Sequence, residues 1–414
     1  MSRMSVAVAV VVAALGAAVL AQPAPVRLFE EVESGVSTEQ MLGAVRSRAA
    51  RINLNLLGGL DGSLAPVQRL RLNLFPGVAF TSTLECFEET GSGSSWSGTV
   101  GGTGFGDVTL ASVNGFVSGR ASAFGQFYAI RGRGETVTIS EIDEDLLPEP
   151  DDAVSAPAAD AGTSNPFVSA DDGSVIDIGV IYSADAERAA GGEDAIRADI
   201  HVAVTTANTA FTWSGVETRL RWVTTGRSTG ADSGDAFDDI ISVTSHRDDI
   251  HRFRNDHKLD LIALVNENDD RLCGLAWVNG LNASGNLAYS ITNRECLLGH
   301  TFAHEIGHNL GARHDWFVDD RVGAYDFSHG HVDLQLGFRT IMSYRHLCGN
   351  AGRECPRITW FSNPRINVLA TSRFVGVPSG TDTGCSTGDV RHYRCDADVA
   401  RTFDHMRKVV ARFR

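Results

Sequence analysis

The chain has 414 residues, of which 43% are apolar and 21% charged, and it carries a formal net charge of −15. That length allows more than one domain, and the composition is that of packed cores rather than a disordered tail. The acidity gives no support to nucleic-acid binding, which would need a basic patch. The charge is also uneven: residues 22–172 hold 20 Asp and Glu against 9 Arg and no Lys, a net of −11, so the front half is the acidic one.

Residues 1–21 read as an export signal. Arg3 supplies a short positive region, Val6–Leu20 is an apolar run of 15, and Val19-Leu20-Ala21 offers small-residue cleavage before Gln22. A membrane span needs about 20 apolar residues, and no second long run follows. Export also permits disulfides.

Residues 22–146 form a β-rich unit. Val67–Leu74 alternates with a period of two, as a half-buried strand does. Strand-like runs follow at 79–87, 96–100, 107–113, 116–118, 126–130 and 136–139, separated by Gly-rich turns, which predicts an antiparallel meander. No cluster of metal-binding or acid–base residues lies here. Residues 147–172 are rich in Pro, Ala, Gly and Asp without apolar periodicity, the composition of an exposed linker and of a site for maturation by cutting.

From residue 173 to 414 the pattern changes. Val175–Tyr182 and Leu261–Asn266 are compact apolar strands, and Glu217–Thr225 alternates. Between them, Glu193–Phe211 places Ile196, Ile200, Ala203, Ala207 and Phe211 on one helical face. A second helix is predicted over Asp235–Asp256, with Phe237, Ile240, Ile241, Ile250 and Phe253 inward. This order predicts an α/β (α+β) fold with a twisted, mixed and mostly parallel sheet. Gly274–Val278 and Leu287–Thr292 are further strands, and Asp396–Arg412 closes the chain as a helix with Val399, Phe403, Met406 and Val410 as its docking stripe.

The decisive stretch is His304-Glu305-Ile306-Gly307-His308-Asn309-Leu310-Gly311-Ala312-Arg313-His314-Asp315. His304 and His308, four apart, leave the same face of a helix and can share one Zn²⁺. Glu305 then lies beside the metal's open position as a general base. Gly311 can take a left-handed conformation, ending the helix and swinging His314 back as a third ligand. Three protein ligands and one open position describe a catalytic zinc, not a structural one.

These residues resemble the zinc signature of the metzincin metallopeptidases, and Asp315 after the third histidine resembles the reprolysin (adamalysin) branch. Thr340-Ile341-Met342-Ser343-Tyr344 resembles the Met-turn of the same group. The resemblance implies that Met342 floors the histidines, that Asp315 anchors the turn beneath them, and that the lower half of the domain is irregular. It further implies that Gly274, Leu275, Ala276, Trp277 and Val278 form an edge strand able to pair with extended substrate; a plain hairpin reads the same residues equally well. Tyr344 is either a contact for the transition-state oxyanion or a structural hydroxyl. The unit 22–146 resembles, more loosely, the propeptides of secreted reprolysin-like enzymes, which would act as intramolecular inhibitors. The catalytic half is also similar to bacterial peptidyl-Asp metalloendopeptidases, whose preference would need a cationic pocket; Arg339, Arg345, Arg357 and Arg365 lie near the expected wall.

The expectation is a secreted zinc endopeptidase with one Zn²⁺, acting on proteins and peptides, monomeric, with a Ca²⁺ requirement left open. Two other readings stand: a catalytically silent secreted binding module of the same fold, and a zinc amidase of small substrates. His300, one turn before His304, reads as a helix-start or rim residue, and His329, His331 and His346 as surface-loop residues. Of the 7 cysteines, proximity pairs Cys273 with Cys296, Cys348 with Cys355 and Cys385 with Cys395, out of fifteen pairings. Cys86 is either a thiolate cap on the zinc or an incidental thiol.

Overall fold

The computed structural model describes residues 24–32, 41–58, 64–90, 93–102, 105–148, 154–155, 172–267, 271–368, 373–381 and 394–414. The predicted export signal, Cys385 and most of the predicted linker lie outside these residues.

The first unit is a β-sheet closed on itself. Its strands are β1 (Val26–Arg27), β2 (Phe29–Glu31), β3 (Ala44–Ile52), β4 (Arg69–Phe75) and β5 (Val78–Thr90). They continue as β6 (Gly93–Val100), β7 (Gly106–Val113), β8 (Phe116–Ala123), β9 (Gln126–Arg133) and β10 (Thr136–Ile142). β4 to β10 form an antiparallel meander, and β3 pairs antiparallel with β10. β1 pairs with β4 and β2 with β3. Because β1 and β2 are successive pieces of one segment, that segment joins the two ends of the sheet into a barrel. Closure removes free edges. Leu70, Leu72, Leu74, Trp96, Val108, Leu110, Ile130 and Ile139 fill its core. The sequence pattern misses β3, because Ala44–Ile52 carries arginines and alanines where a half-buried strand would show large apolar residues.

A short strand, β11 (Val154–Ser155), precedes the second unit. The second unit begins with β12 (Val175–Ser183), α1 (Ala184–Ala190), α2 (Glu193–Trp213) and β13 (Arg219–Ser228). It continues with α3 (Ala236–Ser245), α4 (Asp248–Asp256), β14 (Leu261–Asn266), β15 (Gly274–Val278), β16 (Tyr289–Asn293) and α5 (Thr301–Asn309). The sheet order is β11-β15-β16-β14-β12-β13, parallel throughout except where β15 meets β16. α1 starts because the Ser183 side chain accepts from the Ala186 amide, and Gly191 ends it in a left-handed turn. After α5 the chain is mostly irregular, with a small pair β17 (Val332–Asp333) and β18 (Phe338–Arg339), then α6 (His346–Asn350) and α7 (Val399–Val410). Asp398 caps α7 through the Arg401 amide, and Val399, Phe403, Met406 and Val410 are buried in the main core.

The long helix predicted over 235–256 is two helices. α3 stops at His246, and Asp248 and Asp249 restart the chain as an acidic first turn, where the helix dipole favours them. α3 also turns Ala236, Ile240 and Val243 inward, which leaves Phe237 and Ile241 exposed rather than in the core. The pairs Cys273–Cys296 and Cys348–Cys355 are disulfides.

The barrel packs against α2 through β7 and β8. Met41, Phe127, Ala129 and Ile142 of the barrel cluster with Val202 and Leu298. Between these apolar contacts lies a buried polar one: Asp199 of α2 accepts from Ser118 Oγ at 2.5 Å and pairs with Arg131 at 3.0 Å. A buried ion pair is weak as a source of stability, but removing one partner leaves the other charge uncompensated.

His201, two residues on, is buried against the Trp222 ring and its Nδ1 has no hydrogen-bond partner. Burial pushes its pKa down to about 4, so the folded chain keeps it neutral. The unfolded chain takes the proton first, so this contribution is complete above pH ~6.5 and is lost as pH falls toward 4. Urea denaturation at pH 7 and pH 4.5 should show wild type losing about 2.5 kcal/mol more than His201→Phe. Equal losses would remove His201 as a source of acid lability.

Candidate active site

His304 and His308 sit one turn apart on α5, with Nε2 atoms 3.1 Å apart. The helix ends at Gly311, where φ is +89° and an added Cβ would lie 2.5 Å from Ala324 Cβ and 2.8 Å from the Asn279 carbonyl. Only glycine fits both the backbone and the space. The amides of Gly311 and Ala312 bond back to His308 and Gly307, at 2.9 and 3.0 Å, and the chain returns so that His314 Nε2 is 3.1 Å from each of the other two. Among the described residues this is the group of side chains that could hold a metal ion.

The hydrogen-bond partners fix which nitrogens face inward. His304 Nδ1 lies 2.8 Å from the Ile341 carbonyl and His308 Nδ1 2.9 Å from the Ala312 carbonyl. A carbonyl only accepts, so each Nδ1 carries the proton and each Nε2 presents a lone pair. Burial drives His304 and His314 well below the ordinary histidine pKa and His308 down to about 4, with the neighbouring imidazoles adding to the effect on His304 and His314. Neutral imidazoles are the form that binds metal. Lone pairs converging at 3.1 Å repel one another unless a cation lies among them, and a tetrahedral Zn–N shell has an N···N edge of about 3.3 Å. The donor set fits zinc.

Met342 is fully buried beneath the helix. A Cβ on Gly307 would lie 2.5 Å from Met342 Sδ, so the glycine between the two helical histidines is what lets the methionine approach. Asp315 holds the next turn. Its carboxylate accepts from the Tyr344 amide at 2.9 Å and the Phe317 amide at 3.2 Å, and burial pushes its pKa up to about 6 against those bonds. That contact brings the Tyr344 ring to 4.3 Å from the His314 ring, between centroids.

β15 borders the site. Leu275, Ala276, Trp277 and Val278 are buried, and the strand is both one arm of an antiparallel pair with β16 and the outer strand of the sheet but for β11. Gly274 has a role the sequence did not reveal. A Cβ there would lie 2.6 Å from Glu305 Oε1, 2.8 Å from Thr301 Cγ2 and 2.9 Å from Glu305 Cδ, so the absence of a side chain lets the buried carboxylate keep its place against the strand.

His300 starts α5, one of its two expected readings, and is buried, with Nε2 3.0 Å from Thr359 Oγ1, which in turn donates to Asp107 of the barrel. His329 is not a surface residue: it is buried, stacks on Trp316 at 3.7 Å, and its Nδ1 lies 2.7 Å from the His314 carbonyl. It therefore positions the third histidine of the cluster, and no ligand spacing could have announced it. Cys86 is free, exposed and in register with Ser97 on β5, outside the metal-capable group, so it does not cap the histidines. Arg365 is tied to Asp398 at 2.6 Å.

Gly274→Ala should displace the Glu305 carboxylate while leaving the three imidazoles in place. Peptide hydrolysis should fall about 100-fold, the scale of an ångström's misplacement, with bound zinc unchanged. Loss of the metal alongside activity would show instead that the whole site had shifted.

Residues 173–375 match the family described as metallo-peptidase family M12B, reprolysin-like. The chain is 31% identical over 262 residues to a peptidyl-Asp metalloendopeptidase of Pseudomonas aeruginosa, covering 58% of this chain and 40% of that protein. It is 28% identical over 287 residues to one of Stenotrophomonas maltophilia, covering 66% and 64%. It is 27% identical over 395 residues to one of Xanthomonas campestris pv. campestris, covering 87% and 88%. The matched stretch thus spans less than two thirds of the first two relatives' lengths. With the three converging imidazoles, the adjoining carboxylate and the buried methionine in one place, residues 173–375 are a reprolysin-like domain of metallo-peptidase family M12B.

Proposed function

We propose that the chain is the precursor of a secreted zinc endopeptidase. The observation that carries this is the meeting of three neutral Nε2 atoms at 3.1 Å beside the buried Glu305. A zinc ion held by His304, His308 and His314 would supply Lewis acidity toward a scissile carbonyl and lower the pKa of a water toward neutrality. Glu305 accepts that water's proton and returns it to the leaving amine, serving as base and then as acid. Tyr344, beside His314, donates its hydroxyl to the developing oxyanion. Gly274–Val278 offers backbone groups to an extended peptide. The relatives are named for action at peptidyl-Asp, and cleavage at Asp is proposed here as well.

The proposal includes latency. The unit 22–146 is read as a propeptide that packs on the catalytic domain, with maturation in 147–172. In support, Val154 and Ser155 pair in parallel with Trp277 and Val278, on the edge where substrate would lie. The two disulfides and the apolar run at Val6–Leu20 support export.

The full-length chain and its Glu305→Ala variant, secreted and allowed to process, would be assayed on casein with metal content measured alongside. Wild type should cleave, stop with a chelator and recover with zinc. Glu305→Ala should keep one zinc and lose about 10³-fold or more in rate. A zinc-loaded wild type that cleaves nothing would overturn the enzyme reading in favour of a protein-binding module.

A further inference from the structure

Where the barrel meets the second unit there is an open crevice of about 1090 Å³. His300, one turn before His304, lines it, so it opens beside the start of the metal-binding helix. Its wall on the catalytic side carries Arg339, Arg345 and Arg357. These three are built into the stretch around Met342. Arg339 and Arg357 form a bridge pair, Arg357 Nη2 donates to the Ser343 carbonyl at 3.3 Å, and Arg339 Nε donates to the Cys355 carbonyl at 3.1 Å.

The carboxylates that meet two of these arginines come from the other unit. Directly after β10, Glu144 pairs with Arg339 at 3.0 Å and Asp145 with Arg345 at 2.9 Å. Arg339 is buried, and its carboxylate partner comes from the barrel's side of the crevice, in the segment directly after β10. Glu354, the acidic residue that the catalytic side adds to the crevice, is exposed.

We infer that Arg339 and Arg345, with Arg357, are the site that receives the acidic side chain of a substrate, and that Glu144 and Asp145 fill it in the precursor as a built-in acidic plug. The substrate class is a peptide with a carboxylate side chain next to the scissile bond. A planar guanidinium suits a carboxylate through paired N–H donors, and a buried one discriminates against the uncharged isostere. The assignment rests on the peptidase reading above and adds to it which residues read the substrate and what occupies them beforehand.

Two quenched fluorescent peptides that differ only in a central Asp or Asn test it, with enzyme secreted and processed from the full-length chain. Wild type should prefer the Asp peptide by about 100-fold or more in kcat/KM. Arg339→Gln and Arg345→Gln should compress the ratio to about 10-fold or less, through a larger loss of kcat/KM on the Asp peptide than on the Asn peptide, and Arg345→Lys should restore part of it. Since Arg339 is buried and its variant is the one at risk of misfolding, half-exposed Arg345 keeps the test decisive. An unchanged ratio in active Arg345→Gln overturns the assignment. A wild type that cuts both peptides equally overturns it too but leaves the peptidase reading intact, whereas one that cuts neither removes both. For the plug, unprocessed full-length chain carrying Glu144→Gln with Asp145→Asn should turn over the Asp peptide about 10-fold faster than unprocessed wild type. Equal rates would overturn the plug.

Discussion

Three imidazole lone pairs must be held pointing at one another in a dry interior, and most of the surrounding structure serves that constraint. α5 supplies two of them through its own period, and the left-handed Gly311 supplies the third. Two of the three protons are turned away by carbonyls from different places: Ile341 in the lower half for His304, and Ala312 in the returning loop for His308. The lower half therefore fixes tautomers as well as closing the domain. Gly274, Gly307 and Gly311 act together as clearances, giving room to Glu305, Met342 and the returning chain.

The same region is where the barrel is attached. Asp107 of β7 reaches Thr359 and through it His300, Arg131 of β9 reaches Asp199, and Glu144 and Asp145 reach the arginines around the Met342 turn. Polar groups buried in this way need partners, and here each unit supplies the other's. The front half's acidity is in part a set of counter-charges.

What could be read from the sequence follows a physical line. Local regularities were visible: the alternation of β4, the runs of β5 to β10, the buried faces of α2 and α7, and the spacing of His304, Glu305, His308 and His314. Contacts between distant segments were not. β3 hides its strand character among arginines, two of which, Arg46 and Arg48, share the strand face of the core residues Ala50 and Ile52. His329 acquires its place only when the chain folds back onto His314, and Gly274 looks like a weak point in a strand until Glu305 is seen beside it. The orientation of α3 was misjudged because Phe237 and Ile241 are apolar, yet the face formed by Ala236, Ile240 and Val243 is the one that packs.

Among the described residues, the strand lying along the outer side of β15 is Val154–Ser155, from the segment that follows the barrel. That segment touches the catalytic domain at Glu144–Asp145 and again at Val154–Ser155, on two sides of the site. The residues between can span at most about 30 Å when extended, which makes the segment a short tether with two weak fixings. Each fixing holds the other at high effective concentration, and losing one lowers the occupancy of both. Under the maturation proposed above, the position of a cut would therefore matter as much as its occurrence. Severed between the fixings, the edge of β15 is surrendered at once while the arginines stay covered for as long as the barrel remains docked; severed beyond both, the tether stays on the barrel and the two leave together.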